Sequence, residues 1–201
     1  MMKRWMLFGT TFLLTMALVA WNSGGEKTAT QDDNVNHEIQ VTPSDGHAKE
    51  GEKSQVVTLK DTEGNAVATA NLTQENDGVH VSMDVDGLPE GTHAFHVHEK
   101  GVCEPPDFES AGGHYNPTDM KHGKLNPEGP HAGDFDNIEV DESGKAHVEF
   151  TTTQITLEHG KETTLYTDEG TSLVIHADPD DYKSQPAGDA GDRIACGVID
   201  E

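Results

Sequence analysis

Apolar and polar residues alternate with a period of two through most of the chain beyond residue 55. Val57 and Leu59 share one parity, as do Ala66, Ala68, Ala70 and Leu72, and Val79, Val81, Met83 and Val85 give the cleanest run. Side chains at i and i+2 of a strand share a face, so each run predicts a strand with one buried side. Between the runs stand Asp61-Thr62-Glu63-Gly64-Asn65, Glu75-Asn76-Asp77-Gly78, Asp86-Gly87, Pro89-Glu90-Gly91 and Asp141-Glu142-Ser143-Gly144. Gly, Asp and Asn in such clusters favour tight reversals. A further strand covers Gly91 to His98, and later ones fit Ile138 to Val140, Ala146 to Phe150, Ser172 to His176 and Arg193 to Ile199. About eight short strands without an amphipathic helix predict an antiparallel sandwich or barrel.

Two stretches lack the pattern. The 37 residues from Glu99 to Phe135 hold His114, His122, His131, Asp134 and Cys103. A structureless connection of that length is functional or disordered. The expectation is that metal coordination and a disulfide order what the backbone alone does not. The second stretch, Asp178 to Asp192, joins the strand ending at His176 to the last strand.

The first residues have a different character. Lys3 and Arg4 precede an apolar run from Trp5 to Trp21, the pattern of an export signal. Its 17 residues are marginal for a spanning helix. Leu18-Val19-Ala20 is followed by Trp21 rather than the cysteine a lipid anchor needs. Residues 1–21 are therefore expected to be a signal peptide cleaved near Ala20, or an uncleaved membrane anchor. Residues 22–54 are polar and without periodicity, as expected of a flexible tether, and His37 and His47 within it read as solvated. Residues 55–201 form the expected folded domain.

The formal net charge is −24, and residues 55–201 carry 8 basic against 30 acidic side chains. That field repels nucleic acid and anionic lipid surfaces, which excludes a nucleic-acid-binding role. Only Arg4 and Arg193 are arginines, so the folded domain uses lysine for every other cation. The two cysteines, Cys103 and Cys196, lie 93 residues apart. In an exported protein such a pair reads as a disulfide, with two buried thiols as the alternative. Closing a loop near that length stabilises by about 4.7 kcal/mol on a chain-entropy argument.

In the strand Gly91 to His98, Phe95 and Val97 share a face with His93, while His96 and His98 point together to the other side. Two neutral imidazoles on one face of a rigid strand suit copper, zinc or iron. His93 therefore reads as a packed, hydrogen-bonded residue. His114, His122, His131 and Asp134 are suited to one tetrahedral zinc set. His176 ends a separate strand, and one imidazole with two ring nitrogens is able to bridge two metals. His80, His147 and His159 read as solvent-facing.

Five segments together, Gly91-Thr92-His93-Ala94-Phe95-His96-Val97-His98, Ser110-Ala111-Gly112-Gly113-His114-Tyr115-Asn116-Pro117, Lys121-His122-Gly123, Gly129-Pro130-His131-Ala132-Gly133-Asp134 and Gly191-Asp192-Arg193-Ile194-Ala195-Cys196-Gly197-Val198-Ile199, resemble copper–zinc superoxide dismutase in its exported bacterial, Bacillus-like form. The resemblance covers roughly Val56 to Ile199. It implies an all-β, eight-stranded Greek-key barrel with a long metal-binding loop. It also implies one copper per subunit on His96, His98, His114 and His176, and one zinc on His114, His122, His131 and Asp134. Asp180 matches an outer carboxylate linking a copper histidine to a zinc histidine, with Asp181 as the alternative. The resemblance matches Cys103 and Cys196 to the family disulfide, Arg193 to the residue that receives superoxide, and His114 to the bridge that also carries a proton. The activity implied is conversion of superoxide to dioxygen and hydrogen peroxide through a copper that changes charge by one electron.

Departures exist. The stretch Asp181 to Asp192 is shorter than the matching loop of many eukaryotic relatives and holds one cation, Lys183. Ala187 stands near where those relatives have a threonine, so substrate guidance falls on Arg193 almost alone. The acidic end Asp200-Glu201 argues against a eukaryotic type of dimer, and monomer and homodimer both stay open. The alternative function is an extracellular copper- and zinc-binding protein that buffers or delivers metal without turnover. Either reading places the protein outside the cytoplasm, in the extracellular space or the cell envelope.

Overall fold

The computed structural model describes residues 53–200, which are all β apart from one turn of 3-10 helix at Glu109–Ala111. The expected leader over 1–21, and the linker up to residue 52 with His37 and His47, lie outside the described residues. The strands are β1 (Ser54–Asp61), β2 (Ala66–Glu75), β3 (Gly78–Asp86), β4 (Gly91–His93), β5 (Phe95–His98), β6 (Ile138–Val140), β7 (Lys145–Thr152), β8 (Thr171–His176) and β9 (Arg193–Ile199). Seven form one curled antiparallel sheet in the order β5-β8-β9-β1-β2-β3-β7, and β4 pairs with β6.

The alternation read from the sequence is the alternation of burial. Val57 and Leu59 of β1, Ala68, Ala70 and Leu72 of β2, and Val79, Val81, Met83 and Val85 of β3 share one core with Phe95, Phe135 and Ile175. Burying each of the larger side chains stabilises by about 1.5–3 kcal/mol. The strand expected over Gly91 to His98 is two strands. Ala94 is the corner between them: its N–H donates to the Asp178 carbonyl (3.0 Å) and its carbonyl accepts from the His176 N–H (2.9 Å). The chain thereby leaves β6, where His93 faces Ile138, for β8, where Phe95 faces Ile175.

β5 and β8 are buried on both faces. Phe95, Val97, Leu173 and Ile175 enter the main core, while Val174 packs beneath the loops with Phe108, Ala111 and Cys196. The second face, where His96 and His98 stand, is therefore outside the barrel yet shielded from water.

The long connection from 99 to 137 is held by more than its cross-link. The Cys103–Cys196 disulfide ties it to β9. Its backbone also pairs with the edge of β5: the Val97 N–H donates to the Gly133 carbonyl (2.9 Å) and the Tyr115 N–H to the Val97 carbonyl (2.8 Å). Two one-residue antiparallel bridges result, His96 opposite Asp134 and His98 opposite His114. An exposed strand edge is thus paired, and four candidate ligands are set in register by the main chain. Gly133 is required there, because a Cβ would collide with the Val97 carbonyl.

Candidate metal centre

The candidate ligands converge in two groups. One donor atom from each of His96, His98, His114 and His176 lies within 4.8 Å of the others, and the same holds for His114, His122, His131 and Asp134. His114 belongs to both. All seven residues are buried, none more than 9% exposed. His96 and His98 come from β5. His176 follows a bulge between Ile175 and His176 that re-aims the end of β8 and sets His176 opposite Arg193. The remaining ligands come from the connection docked on β5.

Hydrogen bonds decide which ring nitrogen of His96, His98 and His122 is left over. His98 Nδ1 donates to the Gly112 carbonyl (3.0 Å), so its Nε2 carries a lone pair, and that atom lies 3.3 Å from Nε2 of His176. His96 Nε2 lies 3.1 Å from Asp180 Oδ2, and His122 Nε2 lies 3.0 Å from Asp180 Oδ1. His96 Nδ1, His114 Nε2, His122 Nδ1 and His131 Nδ1 are buried without a hydrogen-bond partner. An orphaned buried polar group costs about 1–3 kcal/mol. His122 Nδ1 and His131 Nδ1 do approach Asp134 oxygens, at 3.0 and 3.3 Å. They do so without hydrogen-bond alignment, as ligand atoms facing a common point would. Neutral imidazoles with inward lone pairs and one carboxylate are the donor set of a first-row transition metal.

The two groups differ electrically. Burial depresses His98 far below the usual imidazole range, with the neighbouring His114, His176 and Arg193 adding to it. Burial likewise lowers His176 to about 3 and His114 to about 4, in the latter case against the pull of Asp134. His122 goes the other way. Burial opposes its charge, but Asp134 and Asp180 raise it to about 9. Burial also opposes charge on Asp134, yet contacts from three histidines and the Gly123 N–H hold its carboxyl well below the usual range.

Asp180, not Asp181, joins His96 to His122; Asp181 accepts from Ser184 instead. Arg193 is half-buried, its Nη1 donating to the Phe108 carbonyl (2.6 Å) and its Nη2 to the Gly112 carbonyl (2.7 Å). Gly112 thus accepts from both Arg193 and His98. The guanidinium lines a cleft of about 440 Å³ with Thr62, Asp107, Glu109 and Asp192. His93 stays out of both groups, its two ring nitrogens each 2.9 Å from a carbonyl, of His176 and of Pro89. His147 is exposed and pairs with Asp84, His80 is half-buried and pairs with Glu149, and His159 stacks on Tyr166.

Two residues near the site carry no signal in the sequence. Asn137 accepts from the Asp180 N–H and donates to the Asp180 carbonyl. Gln185 does the same to His122. Neither lies in a motif, and lone amides are common in loops, so only the folded arrangement reveals them.

The family described as copper/zinc superoxide dismutase matches residues 62–199. "Superoxide dismutase [Cu-Zn] 2" of Aquifex aeolicus is 52% identical over 142 residues, 70% of this chain and 83% of that protein. "Superoxide dismutase [Cu-Zn]" of Caulobacter vibrioides is 40% identical over 148 residues, 73% of this chain and 85% of that one. Among solved structures, a SOD-like protein from Bacillus subtilis superposes with a TM-score of 0.70 at 37% identity, covering 72% of this chain and 97% of that one. The Cu/Zn superoxide dismutase from Brucella abortus gives 0.61 at 30% identity, covering 74% of this chain and all of that one. The chain belongs to the copper/zinc superoxide dismutase family.

Proposed function

We propose that the protein dismutes superoxide with copper on His96, His98, His114 and His176 and zinc on His114, His122, His131 and Asp134. One observation carries the assignment. His114 belongs to both groups, with Nδ1 2.8 Å from Asp134 Oδ1 and Nε2 buried and unpartnered on its other side. A single ring facing two sets of donors is suited to bridge two ions.

Copper, when bound, supplies the one-electron cycling that oxidises one superoxide to dioxygen and reduces a second, with two protons, to hydrogen peroxide. The side chains supply the rest. Arg193 is fixed by two carbonyls and offers its remaining N–H groups to an anion in the cleft. His114 is able to hold a proton at Nε2 while Nδ1 stays directed at Asp134. Asp180 orients His96 and His122 by accepting from the far nitrogen of each ring, the usual service of an outer carboxylate. Export is supported by the disulfide, which persists in oxidising compartments. The basic-then-apolar start supports a cleaved signal or a membrane tether.

Protein reconstituted with copper and zinc is expected to hold one of each per chain and to turn over superoxide. Two bound metals without turnover would instead indicate a buffering protein. Arg193→Ala is expected to lower turnover about tenfold, the lower end for lost electrostatic guidance, with metal content unchanged, and undiminished turnover would remove Arg193 from the anion site.

A further inference from the structure

The buried contact between His122 and Asp180 is gripped at the backbone from both sides. His122 sits in the connection docked on β5, and Asp180 sits in the stretch between β8 and β9. Asn137, three residues past Asp134, spans the Asp180 backbone, accepting from its N–H (2.9 Å) and donating to its carbonyl (3.0 Å). Gln185, five residues past Asp180, spans the His122 backbone, accepting from its N–H (3.1 Å) and donating to its carbonyl (3.0 Å). Each partner of the contact is therefore held by a side-chain amide from the segment that carries the other. The amide reproduces the paired hydrogen bonds of a sheet without a strand.

The same region is closed from above. The Asp181 N–H donates to the Gly188 carbonyl (3.0 Å) and the Gly188 N–H to the Ser184 carbonyl (2.8 Å). That fold-back lays Gly188 on the contact so closely that a Cβ would collide with Asp180 Oδ1 and His122 Nε2. The Tyr182 N–H also donates to Asp180 Oδ1 (2.6 Å).

We propose that Gln185 is a positioning residue for the zinc half of the centre. It holds the His122 backbone so that one ring nitrogen meets Asp180 and the other faces the point shared with Asp134 and His131. Among the candidate ligands it touches His122 alone, its other bond going to the Lys183 carbonyl (3.0 Å). The copper-side histidines on β5 and β8 are held by strand pairing, and Gln185 does not touch them. Gln185 is exposed and its side chain fills no core, so its truncation leaves the barrel and the disulfide intact. The proposal rests on the assignment of zinc to His122, His131 and Asp134.

The test uses the full chain with the disulfide formed, in wild-type and Gln185→Ala forms. Zinc and copper affinities are measured separately by chelator competition, and the visible absorption of cobalt(II) at the zinc half is recorded. Gln185→Ala is expected to weaken zinc binding about tenfold, the lower end for outer contacts of metal ligands. It is also expected to alter the cobalt spectrum while copper affinity stays within twofold. Gln185→Glu keeps the acceptor for the His122 N–H but sets a carboxylate against the His122 carbonyl, and is expected to weaken zinc as well. Zinc affinity within twofold of wild type in both variants, or equal losses of zinc and copper, would overturn the role of Gln185. Failure of the wild-type protein to bind zinc at His122 would instead overturn the underlying assignment.

Discussion

His96, His98 and His176 stand on β5 and β8, strands that pair with each other over four residues. His122, His131 and Asp134 stand on a connection that meets the sheet at two one-residue bridges and at the Cys103–Cys196 disulfide. The ladder and the core fix the spacing and the face of His96 and His98, and the bulge before His176, with its N–H on the Ala94 carbonyl, sets the third residue beside them. Their cost is electrical: buried side by side, His98 and His176 are held neutral. The loop residues reverse the arrangement. Their backbone is weakly fixed, and carboxylates do the gathering, with Asp134 approaching three histidines and two backbone N–H groups, of Gly123 and His131. One half of the centre is built by strand pairing and the other by charge.

The largest expected effect breaks the loop half alone. Asp134→Ala removes a ligand and the anion that gathers His114, His122 and His131, and leaves those rings buried without it. Zinc affinity is expected to fall about 100-fold or more, beyond the loss typical of outer contacts. Copper is expected to load near stoichiometry on His96, His98 and His176. Metal analysis after dialysis against a weak chelator reads both numbers. Parallel loss of copper would show that the strand half is not independent.

A smaller effect separates the halves by pH in the metal-free protein. Histidines of the unfolded chain take up protons near pH 6.5. His98, and His114 and His176 at about 4 and 3, take them up only at lower pH when folded. Their stabilising contribution is therefore present above about 6.5 and lost on acidification towards 4. His122, raised to about 9, has the opposite sign: its contribution is complete below about 6.5 and lost as the pH climbs to 9. Urea midpoints of the metal-free protein between pH 4 and 9 are expected to peak near neutrality. Asp180→Asn is expected to flatten the alkaline limb and spare the acid one. An unchanged alkaline limb would leave Asp134 as the carboxylate that raises His122 and remove Asp180 from that role.

The same contrast explains what was legible beforehand. β1, β2, β3 and β7 announce themselves because each has one wet and one dry face, and His96 and His98 could be assigned to one side by parity alone. The corner at Ala94 could not, since its hydrogen bonds go to residues 176 and 178, more than eighty positions away. Ile155, Leu157 and Leu165 join the main core from the connection between β7 and β8 without forming a strand, so no periodicity marks them. In the long connection the ligand types and their spacing were plain, and the family resemblance ordered them. The docking of that connection on β5 was not. A bridge one residue long leaves no pattern, and Asn137 and Gln185 act on backbone atoms that any sequence possesses.

The smallest expected effect concerns the approach to the strand half. Arg193 is the one guanidinium of the described residues, and its cleft is shared with Asp107, Glu109 and Asp192. Superoxide is an anion and meets a domain with 30 acidic and 8 basic side chains, so most of the surface repels it. Burial lowers the proton affinity of Arg193, and Glu109 and Asp107 oppose that through their negative charge, the same field an arriving anion must cross. Glu109→Lys replaces one repulsion with one attraction beside Arg193 and touches no metal ligand. Turnover per bound copper at low ionic strength is expected to rise roughly threefold, less than the roughly ten- to thousandfold of a fully lined cleft because one side chain changes. The gain is expected to shrink as salt shortens the screening length from about 10 Å at 0.1 M to about 3 Å at 1 M. Glu149→Lys, with the same charge change on the exposed face of β7, serves as the control and is expected to give less. Equal gains from the two substitutions would assign the effect to net charge rather than to this cleft, and no gain from Glu109→Lys would mean that superoxide reaches copper by another route.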